Sequence, residues 1–253
     1  MSWDPKHYLS FADERTRPAA ELVARIESTV PQRVIDLGCG PGNSTALLAA
    51  RWPQASLEGL DSSAEMIASA KESRVPAVFF VTDIATWRPP APYEVIFSNA
   101  TLQWLDNHRE LLARLMGFVE SGGTLAFQVP RNLDAPSHAL MRAVAAEGPW
   151  APRLRNVRGI SILSPDAYYE ILVPHATSLD IWETEYLHVL EGDDPVYRWV
   201  GATGLRPYAQ ALEGEEREQF LSAYRARLRN AYPKRADGKT LFPFKRLFVV
   251  AKR

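Results

Sequence analysis

Cysteine, lysine and long apolar runs are what this chain has least of. Its one cysteine among 253 residues, Cys39, allows no internal disulfide, which fits a reducing compartment. No stretch of roughly 18 consecutive apolar residues occurs, so no transmembrane helix is expected. The opening Met1-Ser2-Trp3-Asp4-Pro5-Lys6 has no signal-peptide pattern, and a cytoplasmic location is the expectation. Six lysines stand against 23 arginines, the net charge is -1, and there is no basic tract. That disfavours nucleic acid as a partner and gives no reason to expect a membrane. The arginine excess has a compositional reading, a GC-rich coding sequence, and a functional one, arginine forks that grip carboxylates. No metal-ligating set is assigned. The 46% of apolar residues is enough for a sizeable core, in one large α/β domain with an embellishment or in two small ones.

What is present is concentrated in Val34-Ile35-Asp36-Leu37-Gly38-Cys39-Gly40-Pro41-Gly42-Asn43-Ser44-Thr45. An apolar run carries an acid, glycines follow at alternate positions, and a helical pattern starts at Ser44. This is a strand, a tight turn and a helix N-terminus, the arrangement that holds nucleotides. A dinucleotide site takes G-x-G-x-x-G. Here Asn43 stands at the third glycine's place, and the glycines are compressed to G-x-G-x-G. A carboxylate at Asp36 facing the ligand repels phosphate and attracts an ammonium, so a nucleoside carrying an amine is expected. The competing reading has Asp36 merely capping the helix at Ser44. Cys39 reads as a small buried residue, since no base is indicated beside it.

These residues resemble motif I of the class I S-adenosylmethionine-dependent methyltransferases, an acid followed by a Gly-x-Gly-x-Gly loop. The resemblance continues over residues 33–130. It implies S-adenosyl-L-methionine as cofactor and a Rossmann-like α/β fold: a seven-stranded, mostly parallel sheet with an antiparallel last strand, and a helical lid. Residues 57–61 look like the second strand, with Asp61 on the ribose hydroxyls and Ser62 and Met66 at the helix start. The third, 78–84, places Asp83 and Ile84 at the adenine. The fourth, 94–99, leads into a turn from Asn99 to Trp104 over the methionine end. Tyr8 and Arg15 are assigned to the cofactor as well. Asp61 has the plainer reading of a helix N-cap.

The strand and helix patterns alternate from 32 to 130, which implies βαβ units and a parallel sheet. Helices are expected over 44–50, 64–72 and 107–119, the last ended by Gly122-Gly123. Strands are expected over 124–129, 179–190 and 247–251. The segments so defined are an N-terminal lid (1–30) ending in an amphipathic helix with Leu22, Val23 and Ile26 on one side, a core (31–191), a helical lid insertion (192–244), and a last core strand (245–253). The insertion holds helices around 196–200 and 215–232 and is too long to be an idle loop.

Aromatic and basic residues crowd both ends of the chain, and with the 98–105 stretch these ends resemble the family's small-acid carboxyl methyltransferases. That implies esterification of one carboxylate of a small polycarboxylic acid. A carboxylate, with a pKa near ~4, is already ionised and needs no general base. Positioning in a dry pocket is then the main task, and no catalytic residue is assigned. Trp3, Phe11, Trp182 and Tyr197 are the chosen aromatic walls. Trp199 and Tyr232 are also available, though plain packing suits them better. Arg17 and Arg131 are the chosen carboxylate grips, Arg131 because it follows the fifth strand directly. Arg153, Arg155, Arg158, Arg246 and His175 are further candidates. Arg225, Arg227 and Arg229 read as a solvated helix face, and His7 has no acid partner. A methyltransferase for a phenol, an amine or an isoprenoid acid is the alternative. A nicotinamide-dependent oxidoreductase is disfavoured by Asn43 and Asp36, and a non-catalytic nucleotide-binding module is the weakest reading.

Overall fold

The computed structural model describes residues 12–28 and 30–253, with side chains from residue 16 onward. In chain order the elements are α1 (Ala12–Arg25), β1 (Arg33–Leu37), α2 (Asn43–Arg51), β2 (Ser56–Asp61), α3 (Ala64–Glu72), β3 (Val78–Val81), β4 (Tyr93–Asn99), a 3-10 turn (Leu102–Trp104), α4 (His108–Gly117) and β5 (Val119–Pro130). Then come α5 (Pro136–Glu147), α6 (Ala151–Leu154), α7 (Pro165–Leu172), a second 3-10 turn (Val173–His175), β6 (Ser178–Leu190), α8 (Pro195–Gly201), α9 (Arg206–Gln210), α10 (Gly214–Ala231) and β7 (Thr240–Lys252).

The seven strands form one sheet in the order β3-β2-β1-β4-β5-β7-β6. The first five are parallel neighbours, and β7 runs antiparallel to β5. The expected seven-stranded sheet with a reversed last strand is therefore present. β1 is buried along nearly its whole length, as a central parallel strand covered on both faces must be. One face carries Ile35, Leu60, Ile96, Leu125, Phe127 and Val249 into the main apolar cluster. The other face is covered in part by α1, which packs on α2 and β5 and buries Leu22, Val23 and Ile26. This helix, expected at the end of the N-terminal lid segment, is thus part of the layer lying on the sheet.

Several expected boundaries move for identifiable reasons. The helix over 107–119 runs only from His108 to Gly117, and Val119 already pairs with Tyr93 in the sheet. Gly122-Gly123 therefore does not end a helix but lies inside β5. A Cβ on Gly123 would stand 2.7 Å from the Glu94 carbonyl oxygen, so close backbone approach requires glycine there. The third strand stops at Val81, which leaves Asp83 and Ile84 in a turn in which Asp83 accepts from Ala85 N at 2.8 Å. β7 begins at Thr240, so the boundary expected at 244/245 falls within a strand.

The chain divides into two compact units. The first holds the residues up to Pro130 with Ser161–Glu183 and Arg246–Arg253; the second holds Arg131–Ile160 and Thr184–Lys245. The segment 31–191, expected as one core, contributes to both units, and α5 packs with the helices of the second. Tyr232 OH accepts from Ser137 N at 3.0 Å, and Tyr224 OH donates to Ser137 O at 2.7 Å. Trp150 meets Phe220 edge to face, and Arg153 pairs with Glu216 at 2.9 Å. Arg227 and Arg229 are not merely solvated: Arg227 pairs with Glu147, and Arg229 grips Asp194 through two bonds at 2.6 and 2.7 Å. Arg225 lies over Tyr197 at 4.5 Å.

Candidate functional site

The carboxyl ends of β1, β2 and β4 carry the candidate site. After β1 the chain turns through Gly38, Gly40 and Gly42, with φ of 72°, 54° and 96°. In that left-handed region only glycine is free of Cβ strain. The turn is fastened to β2, since Gly38 N and Cys39 N both donate to Leu60 O, at 2.8 and 2.9 Å. Gly40 N donates to Asp61 Oδ2 at 3.1 Å, and Asp61 Oδ1 accepts from Ser63 N at 2.9 Å. Ser63 is the N-cap of α3, its side chain accepting from Met66 N at 3.2 Å. On the β4 side, Thr101 Oγ1 lies 3.2 Å from the carbonyl oxygens of both Gly38 and Asn99, closing the turn against the end of β4. Space around the glycines is uneven. A Cβ at Gly38 would strike Thr101 at 2.1 Å, whereas one at Gly40 would meet nothing within 4 Å among the described residues.

Asp36 is fully buried. Its Oδ2 accepts from the hydroxyls of Ser44 and Thr45, both at 2.7 Å, which ties it to the first turn of α2; the helix cap expected as the plainer reading is not what forms, since the N-cap is Gly42 and no side chain caps it. Asp36 Oδ1 is buried and has no partner among the described residues, and neither has Asn99 Oδ1. Burial pushes the Asp36 carboxyl up to about 6, and burial also raises Asp61. Cys39 is buried and its thiol is pushed far up by burial, so it is no thiolate nucleophile.

The strand register arranges further polar groups in a row. Asp36 pairs with Phe97 and with Gly59, placing Asp36, Asp61 and Asn99 on one face of the sheet. Asn99 pairs with Gln128, and Gln128 with Phe248, which puts Arg246 on that face too. The row thus runs from carboxylates on β2 and β1, through amides on β4 and β5, to a guanidinium on β7. Arg246 Nη1 donates to Gln128 Oε1 at 3.2 Å.

The remaining expected site residues are placed as follows. Met66 and Ile84 are buried, Ser62 and Asp83 exposed, and Trp104 half-buried on its 3-10 turn. Trp182 stacks on Phe248 with ring centroids 4.8 Å apart, beneath the Arg25 guanidinium. Arg17 is exposed on α1 and pairs with Glu21 at 2.9 Å. Arg131 and Tyr197 belong to the second unit. Trp199 is buried there among Phe242, Phe244 and His188. Arg155, Arg158 and His175 are exposed. Trp3, His7, Tyr8, Phe11 and the side chain of Arg15 lie outside the described residues.

Two residues escaped the sequence reading. Gln103, almost fully buried, donates through Nε2 to Ala100 O at 2.6 Å, while its Oε1 has no partner among the described residues. Gln128, fully buried, has an Nε2 with no partner among the described residues. The available signal was a lone amide inside the apolar run Leu125-Ala126-Phe127-Gln128-Val129. Among the described residues no cluster of histidine, cysteine and acid is arranged to hold a metal.

Sheet order, glycine turn and the acid closing β2 define a nucleoside-binding α/β site of methyltransferase type. A methyltransferase-domain family model matches residues 11–184. The trans-aconitate 2-methyltransferase of Azoarcus sp. (strain BH72) is 50% identical over 253 residues, covering 100% of this chain and 99% of that one. That of Rhodopseudomonas palustris (strain BisB18) is 50% identical over 252 residues, covering 98% of each. Among solved structures, the YcgJ protein of Bacillus subtilis superposes with a TM-score of 0.61 at 14% identity, covering 94% of this chain and 98% of that one. The phosphoethanolamine N-methyltransferase 2 of Haemonchus contortus gives 0.57 at 15%, covering 93% and 52%. At that identity the two structures speak for the fold. The chain belongs to the methyltransferase family, in the group of the trans-aconitate 2-methyltransferases.

Proposed function

We propose that this chain transfers a methyl group from S-adenosyl-L-methionine to a carboxylate of trans-aconitate, giving its monomethyl ester. The observation that carries the reading is the full-length match, at 50% identity, to proteins of that name. The residues fit the cofactor. Open space at Gly40 admits a ligand against the backbone, and the buried, donorless Asp36 Oδ1 and Asn99 Oδ1 suit an ammonium. Asp61 has the position of the ribose acceptor. Gly38, Ser62, Met66, Asp83, Ile84 and Trp104, with Tyr8 and Arg15, complete the proposed cofactor set.

The cofactor supplies a methyl group on a sulfonium, which a carboxylate oxygen displaces in one step to leave a neutral thioether. The chain's own task is to bind and orient. An ionised carboxylate needs no proton removed, and aligned reactants can lower a barrier by about 7–11 kcal/mol. Neutralising two charges is helped where water is excluded. Arg17 and Trp182, with Trp3 and Phe11, are proposed on the substrate's side. The partner is a small acid, and a cytoplasmic location is part of the same reading; no helix among the described residues is long and apolar enough to cross a membrane. The test is transfer of labelled methyl to a panel of acids, with a base-labile ester expected on trans-aconitate.

A further inference from the structure

The polar row on the sheet continues past the proposed cofactor residues. Gln128 is fully buried, and its orientation is fixed because Oε1 accepts from Arg246 Nη1 at 3.2 Å. Nε2 therefore points elsewhere, and among the described residues it has no acceptor. Next to it in register, Asn99 Oδ1 has no donor among the described residues, so this neighbouring donor and acceptor leave each other unpaired. A buried amide N–H without an acceptor costs free energy that an unrelated core position would not be expected to carry. Arg246, 3% exposed, is placed two residues from Phe248, the β7 partner of Gln128.

From this we infer that Gln128 and Arg246 form a grip for a carboxylate of the acid substrate, with Gln128 Nε2 as one donor and the Arg246 guanidinium as the cation. The inference rests on the carboxyl-methyltransferase reading above and names two specificity residues for it. An anion acceptor satisfies the lone N–H, and a guanidinium fork matches two carboxylate oxygens. The charge order of the row favours the same assignment. Carboxylates on β1 and β2 suit a cationic donor molecule, and the guanidinium on β7 suits an anionic acceptor molecule, so each ligand has its own end. Trp182, stacked on Phe248, borders the cationic end.

Two sources could supply the carboxylate, the acid or the methionine end of the cofactor, and the test separates them. Trans-aconitate is titrated calorimetrically into protein saturated with S-adenosylhomocysteine, and S-adenosylhomocysteine into free protein. Arg246→Met and Gln128→Leu are each expected to weaken trans-aconitate binding by at least about tenfold, on the scale of charge-assisted hydrogen bonds. S-adenosylhomocysteine binding should change by less than about twofold on the same scale. Arg246→Lys should recover part of the loss, since it keeps the charge without the fork. Gln128→Leu places an apolar side chain in an apolar strand, so the test survives if Arg246→Met fails to fold. Unchanged acid affinity in both variants overturns the inference. So does a loss confined to S-adenosylhomocysteine, which would assign the grip to the cofactor. Failure of the trans-aconitate reading is separately visible, as wild-type protein that transfers no methyl to that acid. The grip is then read with citrate and succinate as probes, and indifference of both to Arg246→Met overturns it.

Discussion

The tip of the glycine turn is latched to the end of β2 through one pair of residues: Gly40 N donates to Asp61 Oδ2 at 3.1 Å. The same carboxylate accepts from Ser63 N through Oδ1, so it fixes both the turn and the start of α3. Asp61→Ala removes both restraints together with the proposed ribose acceptor. Cofactor affinity is expected to fall by at least about tenfold, a loss of about 1.4 kcal/mol or more. Titration with S-adenosylhomocysteine checks this, and an unchanged dissociation constant would take Asp61 out of the site.

Gly38 and Gly40 should respond differently to alanine. At Gly38 the added Cβ meets Thr101 at 2.1 Å, and φ is 72°. Overpacking and a left-handed alanine together should cost about 2–4 kcal/mol in urea unfolding. At Gly40 none of the described residues lies within 4 Å, so strain alone, about 1–2 kcal/mol, is expected there. Adding Thr101→Gly to Gly38→Ala should restore part of the stability. Equal losses at the two glycines would show that the Thr101 contact is soft.

Burial lifts Asp36 to about 6 from its ordinary 3.8. Between those values the folded protein binds more protons than the unfolded chain, so stability falls as pH rises through that window, by about 3 kcal/mol. A cationic ligand prefers the ionised form, and cofactor affinity should therefore decline as pH drops below about 6. Thermal unfolding from pH 4 to 7, wild type beside Asp36→Asn, should show the variant gaining relative stability as pH rises. A difference that stays flat with pH would place the carboxyl's titration outside this window.

His108 joins the 3-10 turn to α7. Its Nε2 lies 3.0 Å from Leu102 O, a pure acceptor, so the proton sits on Nε2 and Nδ1 accepts from Tyr168 OH at 2.8 Å. Burial pushes the His108 pKa down, which keeps the ring neutral. Tyr168→Phe leaves Nδ1 unpaired inside the protein and should cost about 1–3 kcal/mol in urea unfolding. A loss below about 0.3 kcal/mol would mean that another donor replaces the hydroxyl.

What the sequence revealed follows from how local each signal is. Asp36 and Asp61 were legible because each lies at or near the end of an apolar run, before a turn or a helix start, all within a few residues. Gly122-Gly123 was misread because its cause, the approach of the Glu94 carbonyl, comes from another strand. The Gln128–Arg246 pair spans 118 residues and exists only through the β5–β7 register. Arg246 stood among seven basic candidates with nothing local to raise it above Arg131. The membership of α5 in the second unit was equally hidden, since it depends on Tyr224 and Tyr232 reaching back to Ser137.

The most direct test of the central claim is transfer of labelled methyl from S-adenosyl-L-methionine to trans-aconitate, cis-aconitate, citrate and isocitrate, with a phenol and a fatty acid alongside. Label appearing as a base-labile ester on trans-aconitate, ahead of the other acids and absent from the phenol, is the predicted result. Label on the phenol or the fatty acid with none on any polycarboxylic acid would contradict it.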